Sequence, residues 1–334
     1  MLSSMIEDLL KPEAFPDPTK RVLLVQTHIS LVFVADEFVY KVKKPVNFGF
    51  LDFTSLEKRA FYCRQELLLN RRLAKDIYID VLPIRFDGKR YTMRSTKGEI
   101  VEHAVKMKRI SEDRLMKSLY ERRALTENHL RRLARTLARF HLNALRSPVI
   151  DEFGEPDRFR INTDENFSQI KKYIGMSIEG EQFGALQDWT DRFCRTRREL
   201  FYKRIKQGKI RDCHGDLHME HVCFSRSLSI IDCIEFNDRF RYSDTVADSA
   251  FLLMDLEYHG GKKFSSALWK HYRKFAAEEA VDPLLDFYKV YRAVVRGKVN
   301  SFQVDDPAIS AEDKDRAVQR ARKYFSLAWS YTQS

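Results

Sequence analysis

Asp212-Cys213-His214-Gly215-Asp216-Leu217-His218-Met219-Glu220-His221-Val222-Cys223-Phe224, followed by Ile231-Asp232-Cys233-Ile234-Glu235-Phe236, is the stretch on which the reading of this chain turns. Val222 to Phe224 and Ser229 to Ile234 are short and largely apolar, as strands are, and the polar residues from Ser225 to Ser229 suit a hairpin loop. This pattern predicts Asp216 on a loop just before the first strand and Asp232 inside the second, so that two carboxylates converge from opposite sides. Acids placed in this way can bind a divalent cation or accept a proton from an attacking hydroxyl.

Upstream, Arg21 to Gln26, Leu31 to Ala35 and Phe38 to Lys43 read as strands, with Asp36-Glu37 as a turn. Side chains alternate along a strand, so Val39, Lys41 and Lys43 share one face of the third. The connection Thr27-His28-Ile29-Ser30 has no glycine, which rules out a glycine-rich phosphate cradle and leaves the hydroxyls of Thr27 and Ser30 as substitutes. Thr54 and Glu57 form a capping box that starts a helix to about Ala74. Glu66 lies on the apolar stripe of that helix, and an acid there needs a cation partner. The aromatic segment Pro45 to Phe53 reads equally as a flap or a hydrophobic staple. Tyr78 to Ile84, Tyr91 to Arg94 and Ile100 to Lys108 continue as strands, with a turn at Asp87-Gly88.

Downstream, Thr126 to Leu145 keeps helical spacing, with His141 in the apolar stripe, where it reads as a core histidine ahead of a ligand. From Pro148 to Lys209 the pattern gives a loop through Gly154 and Pro156, then helices at Asn166 to Ile174 and Leu186 to Ile205. Later helices are expected at Asp244 to Tyr258, Pro283 to Asn300 and Ala311 to Tyr331. The penultimate one carries Tyr288, Tyr291, Arg292, Arg296 and Lys298 as a basic aromatic surface, which reads equally as an acceptor pocket or a charged amphipathic face.

At 334 residues, 44% hydrophobic and 32% charged, the chain is long enough for two lobes with a sizeable core. No stretch reaches the length of a membrane span and Met1 to Leu10 lacks a secretory pattern, so a cytoplasmic protein is expected. The five cysteines are odd in number and widely spaced, so reduced thiols are expected rather than a zinc cluster. The net charge of +11 leaves nucleic acid open as a partner, but the basic residues are scattered over polar helix faces, as on a solvated surface.

His214-Gly215-Asp216-Leu217-His218 resembles the catalytic loop of the aminoglycoside phosphotransferase and choline kinase branch of the protein-kinase-like fold, and Ile231-Asp232 resembles its metal-binding strand. Val39-Tyr40-Lys41-Val42 is similar to the branch's nucleotide-binding strand. The resemblance implies an α+β protein: a small antiparallel-sheet lobe over residues 12–108 and a larger, mainly helical lobe over 109–334, with ATP and metal in the cleft. It implies transfer of a γ-phosphoryl group to a hydroxyl of a small-molecule acceptor.

Asp216 would then be the base in the catalytic loop it shares with His214, and Asp232 would hold magnesium, with manganese as an alternative. Lys41, or Lys43 in its place, would reach the phosphates, paired by Glu66. Ser30 would add a hydroxyl, and the backbone around Lys106 to Lys108 would read the base. Asp248, ahead of Asp244, would bond the catalytic-loop backbone. One position departs from the branch's pattern: where it has Asn as a second metal ligand, this chain has His221. Magnesium prefers oxygen. His221 then bonds a phosphate or water, or Glu220 or Glu235 supplies the oxygen, or the protein is a nucleotide-binding scaffold with impaired transfer.

Overall fold

In the computed structural model, which describes residues 2–307 and 309–333, the chain runs α1 (Leu2–Leu9), β1 (Leu23–Gln26), β2 (Ser30–Val34), β3 (Phe38–Lys43), α2 (Leu56–Ala74), β4 (Tyr78–Phe86), β5 (Tyr91–Thr92), β6 (Glu99–Lys108), α3 (Met116–Glu121) and α4 (Glu127–Asn143). There follow α5 (Pro148–Asp151), α6 (Pro156–Ile170), α7 (Gly180–Thr196), α8 (Arg198–Lys206), β7 (Ile210–Asp212), β8 (Val222–Phe224), β9 (Leu228–Ile230), α9 (Asp238–Arg241) and β10 (Tyr242–Asp244). The last four elements are α10 (Thr245–Tyr258), α11 (Lys262–Ala276), α12 (Asp282–Phe302) and α13 (Ala311–Thr332). Two units emerge, one holding the chain up to Ala124 together with Glu220–Asp238, the other Leu125–Met219 and the chain from Arg239 onward.

The first unit is built on a six-stranded antiparallel sheet in the order β1-β2-β3-β6-β4-β5. Alternation in β3 buries Tyr40 and Val42 on one face, with Leu31, Phe33, Ile84 and Ala104 and with Met5 and Leu9 of α1. The opposite face pairs Ser30 with Lys43, Val32 with Lys41 and Val34 with Val39. Cross-strand partners point the same way, so this face is polar at one end and apolar at the other. Cys63 and Ala74 of α2 pack here with Tyr78 and Val105.

The N-cap of α2 is Ser55, whose hydroxyl accepts from the Lys58 N–H, and not the predicted Thr54, which bonds Asp52 instead. The aromatic segment before α2 packs on the residues after Asp232: the Phe50 and Phe53 rings lie 6.1 and 6.5 Å from Phe236. β8 and β9 form the expected hairpin with Val222 opposite Ile230. β9 ends sooner than expected, however, and Asp232 lies outside it with φ 61°.

The second unit is helical. Phe167, Leu186, Phe251, Met254, Val290 and Phe325 share its main core. α12 and α13 approach so closely at Gly297 that a Cβ there would lie 2.5 Å from Phe325. The loop expected through Pro156 is α6, because proline at a first helical position loses no intrahelical bond. The single helix expected from Leu186 is two, α7 and α8, broken at Arg197. The predicted basic aromatic surface is in large part interior, with Tyr288, Tyr291 and Arg292 buried. All five cysteines are buried thiols outside any disulfide, and among the described residues no helix is long and apolar enough to cross a membrane.

Candidate active site

In the first unit the two lysines of β3 converge on one acid. Lys41 Nζ lies 2.9 Å from Glu66 Oε1 and 2.7 Å from Asp232 Oδ1. Lys43 Nζ lies 2.8 Å from Glu66 Oε2 and also pairs with Glu235. The spacing of two along a strand puts both ammonium groups on the face that α2 covers, and Glu66, four residues before Asn70 on the same stripe, is fully buried. Burial opposes Lys41's charge, but Asp232 and Glu66 outweigh it and hold the ammonium well above the usual lysine value. Burial likewise opposes Glu66's charge and is outweighed by the two lysines, so its carboxyl is held low. Burial pushes the Glu235 carboxyl up, against the pull of Lys43.

Asp232 owes its position to backbone bonds made across long sequence distances. Its N–H donates to Tyr78 Oη at 3.1 Å, and the next N–H, of Cys233, donates to Asn70 Oδ1 at 2.9 Å. Asn70 is oriented in turn by donating to the Glu66 carbonyl at 2.9 Å. These contacts hold Asp232 in the left-handed conformation that a non-glycine residue rarely adopts. His221 Nε2 stands 3.5 Å from Asp232 Oδ2. Of the other candidate ligands, Glu235 is turned to Lys43 and Glu220 to Lys117.

The apolar end of the same sheet face opens on a cavity of about 900 Å³, lined by Val32, Val34, Val39, Ile77, Met107 and Ile231 and by residues 108–113. Lys108 is on its wall, and its N–H donates to the Ile77 carbonyl at 2.8 Å. Lys106 is opposite Tyr40, on the other face, and its side chain bonds Asp17 at 2.7 Å, so that side chain stays out of the cavity. Ser30 is fully buried beside the polar end, and its Oγ has no hydrogen-bond partner among the described residues.

In the second unit the loop after β7 is held by its backbone. Gly215 has φ 88°, and the N–H groups of His214 and Gly215 donate to Asp248 Oδ2 and Oδ1 at 3.0 and 2.8 Å. Arg292 Nη1 donates to the Gly215 carbonyl at 3.0 Å, and the Met219 N–H donates to Asp255 at 2.9 Å. Asp244 caps α10 through the Val246 N–H and binds Arg204, so the loop falls to Asp248.

Behind Asp248, His141 joins Asp248 at 3.1 Å and Tyr272 Oη at 2.7 Å, a core histidine with both ring nitrogens engaged. Burial opposes Asp248's charge, yet His141 and His214 hold its carboxyl well below the usual range. Asp216 remains one-third exposed (33%), with His218 Nε2 3.6 Å from its Oδ2. Burial opposes the charge on His218, but Asp216 outweighs it and pushes the imidazole up. The backbone of His214 is bound to Asp248, while its Nδ1 accepts from the Asp216 N–H at 3.3 Å.

Tyr78, Asn70, Arg292 and Asp255 are contributors that sequence reasoning missed. Only Asn70 carried a usable signal: it lies one helical turn beyond Glu66. As for a metal, the Asp232 carboxylate is 44% exposed and supplies the oxygen donor that magnesium or manganese takes, while the adjacent imidazole suits manganese better than magnesium. Asp232 and His221 thus offer one oxygen and one nitrogen donor to a divalent cation.

The signature described as phosphotransferase enzyme family matches residues 103–284. An uncharacterised protein of Mycobacterium tuberculosis is 31% identical over 309 residues, 92% of this chain, and the chain spans 59% of that relative's length. A putative aminoglycoside phosphotransferase from Ralstonia eutropha superposes with a TM-score of 0.57 at 14% identity, over 99% of this chain and 96% of that one. Amicoumacin kinase, solved with AMP-PNP and Ca2+, superposes with a TM-score of 0.53 at 11% identity, over 97% and 92%. These likenesses establish the expected α+β, two-lobed kinase-like fold. With more than half of its length matched by the signature, this chain belongs to the phosphotransferase enzyme family.

Proposed function

We propose that the chain moves the γ-phosphoryl group of ATP to a hydroxyl of a small molecule. The observation that carries this reading is the ion-pair chain Glu66, Lys41, Asp232, which sets an ammonium group and a half-exposed carboxylate at the polar end of a sheet face whose apolar end is hollow. The cavity suits a purine ring between Val39 and Ile231, and Lys41 suits the phosphates. The presence of AMP-PNP and Ca2+ in amicoumacin kinase supports nucleotide and divalent-metal use by this fold.

Asp232, with His221 beside it, would hold the cation, which when bound neutralises phosphate charge. In the second unit Asp216 orients the acceptor hydroxyl and takes its proton as the new O–P bond forms and the bond to the departing ADP oxygen breaks. Holding the loop on Asp248 and Arg292 fixes Asp216 before substrate arrives, which lowers the cost of positioning. An ATP-consumption assay over sugars, sugar acids, amino alcohols and aminoglycosides tests the reading. Consumption that depends on an acceptor and disappears in Asp216→Ala supports it, and no consumption with any acceptor argues against it.

A second reading, a nucleotide-binding scaffold with impaired transfer, is favoured by His221, whose imidazole occupies the place beside Asp232 where an oxygen donor would serve magnesium better. ATP binding without turnover under magnesium or manganese is its signature.

A further inference from the structure

From Phe287 to Phe302, α12 bears Lys289, Arg292, Arg296 and Lys298 and no acid. Lys289 is neutralised by Glu257 at 2.7 Å. Arg292, 4% exposed, donates to the Gly215 and Ala247 carbonyls. Lys298 Nζ donates to Asn166 Oδ1 at 2.7 Å and Gln169 Oε1 at 2.8 Å, both neutral amides. Arg296 stands 5.6 Å from the Tyr324 ring centroid, close enough to Asp216 and Asp255 to feel both. Nearby, Arg239 is paired with Glu165 of α6.

Two buried donors in this region lack a hydrogen-bond partner among the described residues: Arg296 Nε and Asn166 Nδ2, the latter on a side chain only 4% exposed. Buried donors without acceptors are costly, and an anionic oxygen satisfies donors best. Burial also lowers Lys298 to about 8, with Glu165 partly opposing it and Arg239 adding to it, and an anion at that ammonium would reverse the shift. Arg296 and Lys298, two residues apart on α12, point to nearly opposite flanks, Arg296 towards Tyr324 and Lys298 towards α6, and Val299 next to Lys298 is 43% exposed.

We propose that the acceptor is an acid, a hydroxyl compound bearing a carboxylate or a phosphate ester, bound on α12 and α6 with its anionic group at Lys298 and the Asn166 amide. The proposal rests on the phosphotransferase reading for its word acceptor, but the anion site stands or falls separately. A polycationic amino sugar or a quaternary ammonium alcohol would meet like charges here, which selects against it.

The test is calorimetric titration of the full chain, preloaded with AMP-PNP and magnesium, with glycerate and gluconate as carboxylates and glycerol 3-phosphate as phosphate ester, against choline and kanamycin as cations. ATP consumption is read with the same compounds. Binding of at least one acid and of neither cation is expected. Lys298→Met should weaken the acid about tenfold or more, and Lys298→Arg should retain it. Preference for a cation, no acid binding by the native chain, or undiminished acid binding by a folded Lys298→Met overturns the inference. Acid binding without ATP consumption upholds the anion site and counts against phosphoryl transfer. Which of the three acids binds distinguishes carboxylate from phosphate ester.

Discussion

Lys41 Nζ lies 2.9 Å from Glu66 Oε1, and the other oxygen of that buried carboxylate is 2.8 Å from Lys43 Nζ, so one helix acid holds two strand lysines. Their tasks differ, because Lys41 continues to Asp232 and Lys43 to Glu235. Lys41→Met should lower turnover by about a hundredfold or more through loss of charge at the phosphates. Lys43→Met leaves Glu235 and half of Glu66 unpaired in the interior and should cost about 3–5 kcal/mol of stability, part of which Glu235→Gln in the same chain restores. Denaturant titration and steady-state kinetics of the three variants check this division.

Asp248 bonds two successive N–H groups of the loop that carries Asp216. Asp248→Asn keeps the shape but loses the charge and turns one acceptor into a donor. It should reduce kcat about a hundredfold while leaving ATP affinity within about twofold, as expected of a residue that positions Asp216. Because the Asp248 carboxyl is held low, its contribution to stability is present above the ordinary carboxylate range and is lost as pH falls through its folded value. Urea melts of both proteins should therefore converge in strong acid.

Lys298 titrates near 8 against a usual 10.5, with burial the main cause. Its charged form is disfavoured by folding, so between about 8 and 10.5 the unfolded chain holds a proton that the folded chain has released, and this term adds stability as pH rises. The native chain should gain stability relative to Lys298→Met across that window, read by paired thermal melts. Acid affinity should fall across the same window, as Lys298 loses its charge.

Much of this site was legible because strand alternation and helix stripes are local. The bounds of β3 and the burial of Glu66 follow from them, as does the choice of Asp248 over Asp244 from the apolar run behind it. Other features were hidden for identifiable reasons. Lys41 and Lys43 share a face, and nothing in the chain says that Glu66 takes both. Asp232 leaves β9 through a left-handed turn inside an apolar run, stabilised by Tyr78 and Asn70 more than 150 residues away. Gly154 and Pro156 read as loop formers, whereas proline there opens α6.

Val39 and Met107 face each other in register on the wall of the cavity. Val39→Trp places an indole in that cavity, so it should weaken nucleotide binding about tenfold or more while changing stability by only about 1–3 kcal/mol. ATP titration followed by a thermal melt measures both. Unchanged ATP affinity would move the base elsewhere.

The most direct test is calorimetric titration of ATP, with and without magnesium or manganese, into the native chain, Asp216→Ala and Asp232→Ala, with ATP turnover measured alongside. Asp216→Ala should bind the metal-nucleotide like the native chain but not turn it over, and Asp232→Ala should lose about tenfold or more of the metal-dependent affinity. Native affinity and native turnover in either variant would contradict these roles.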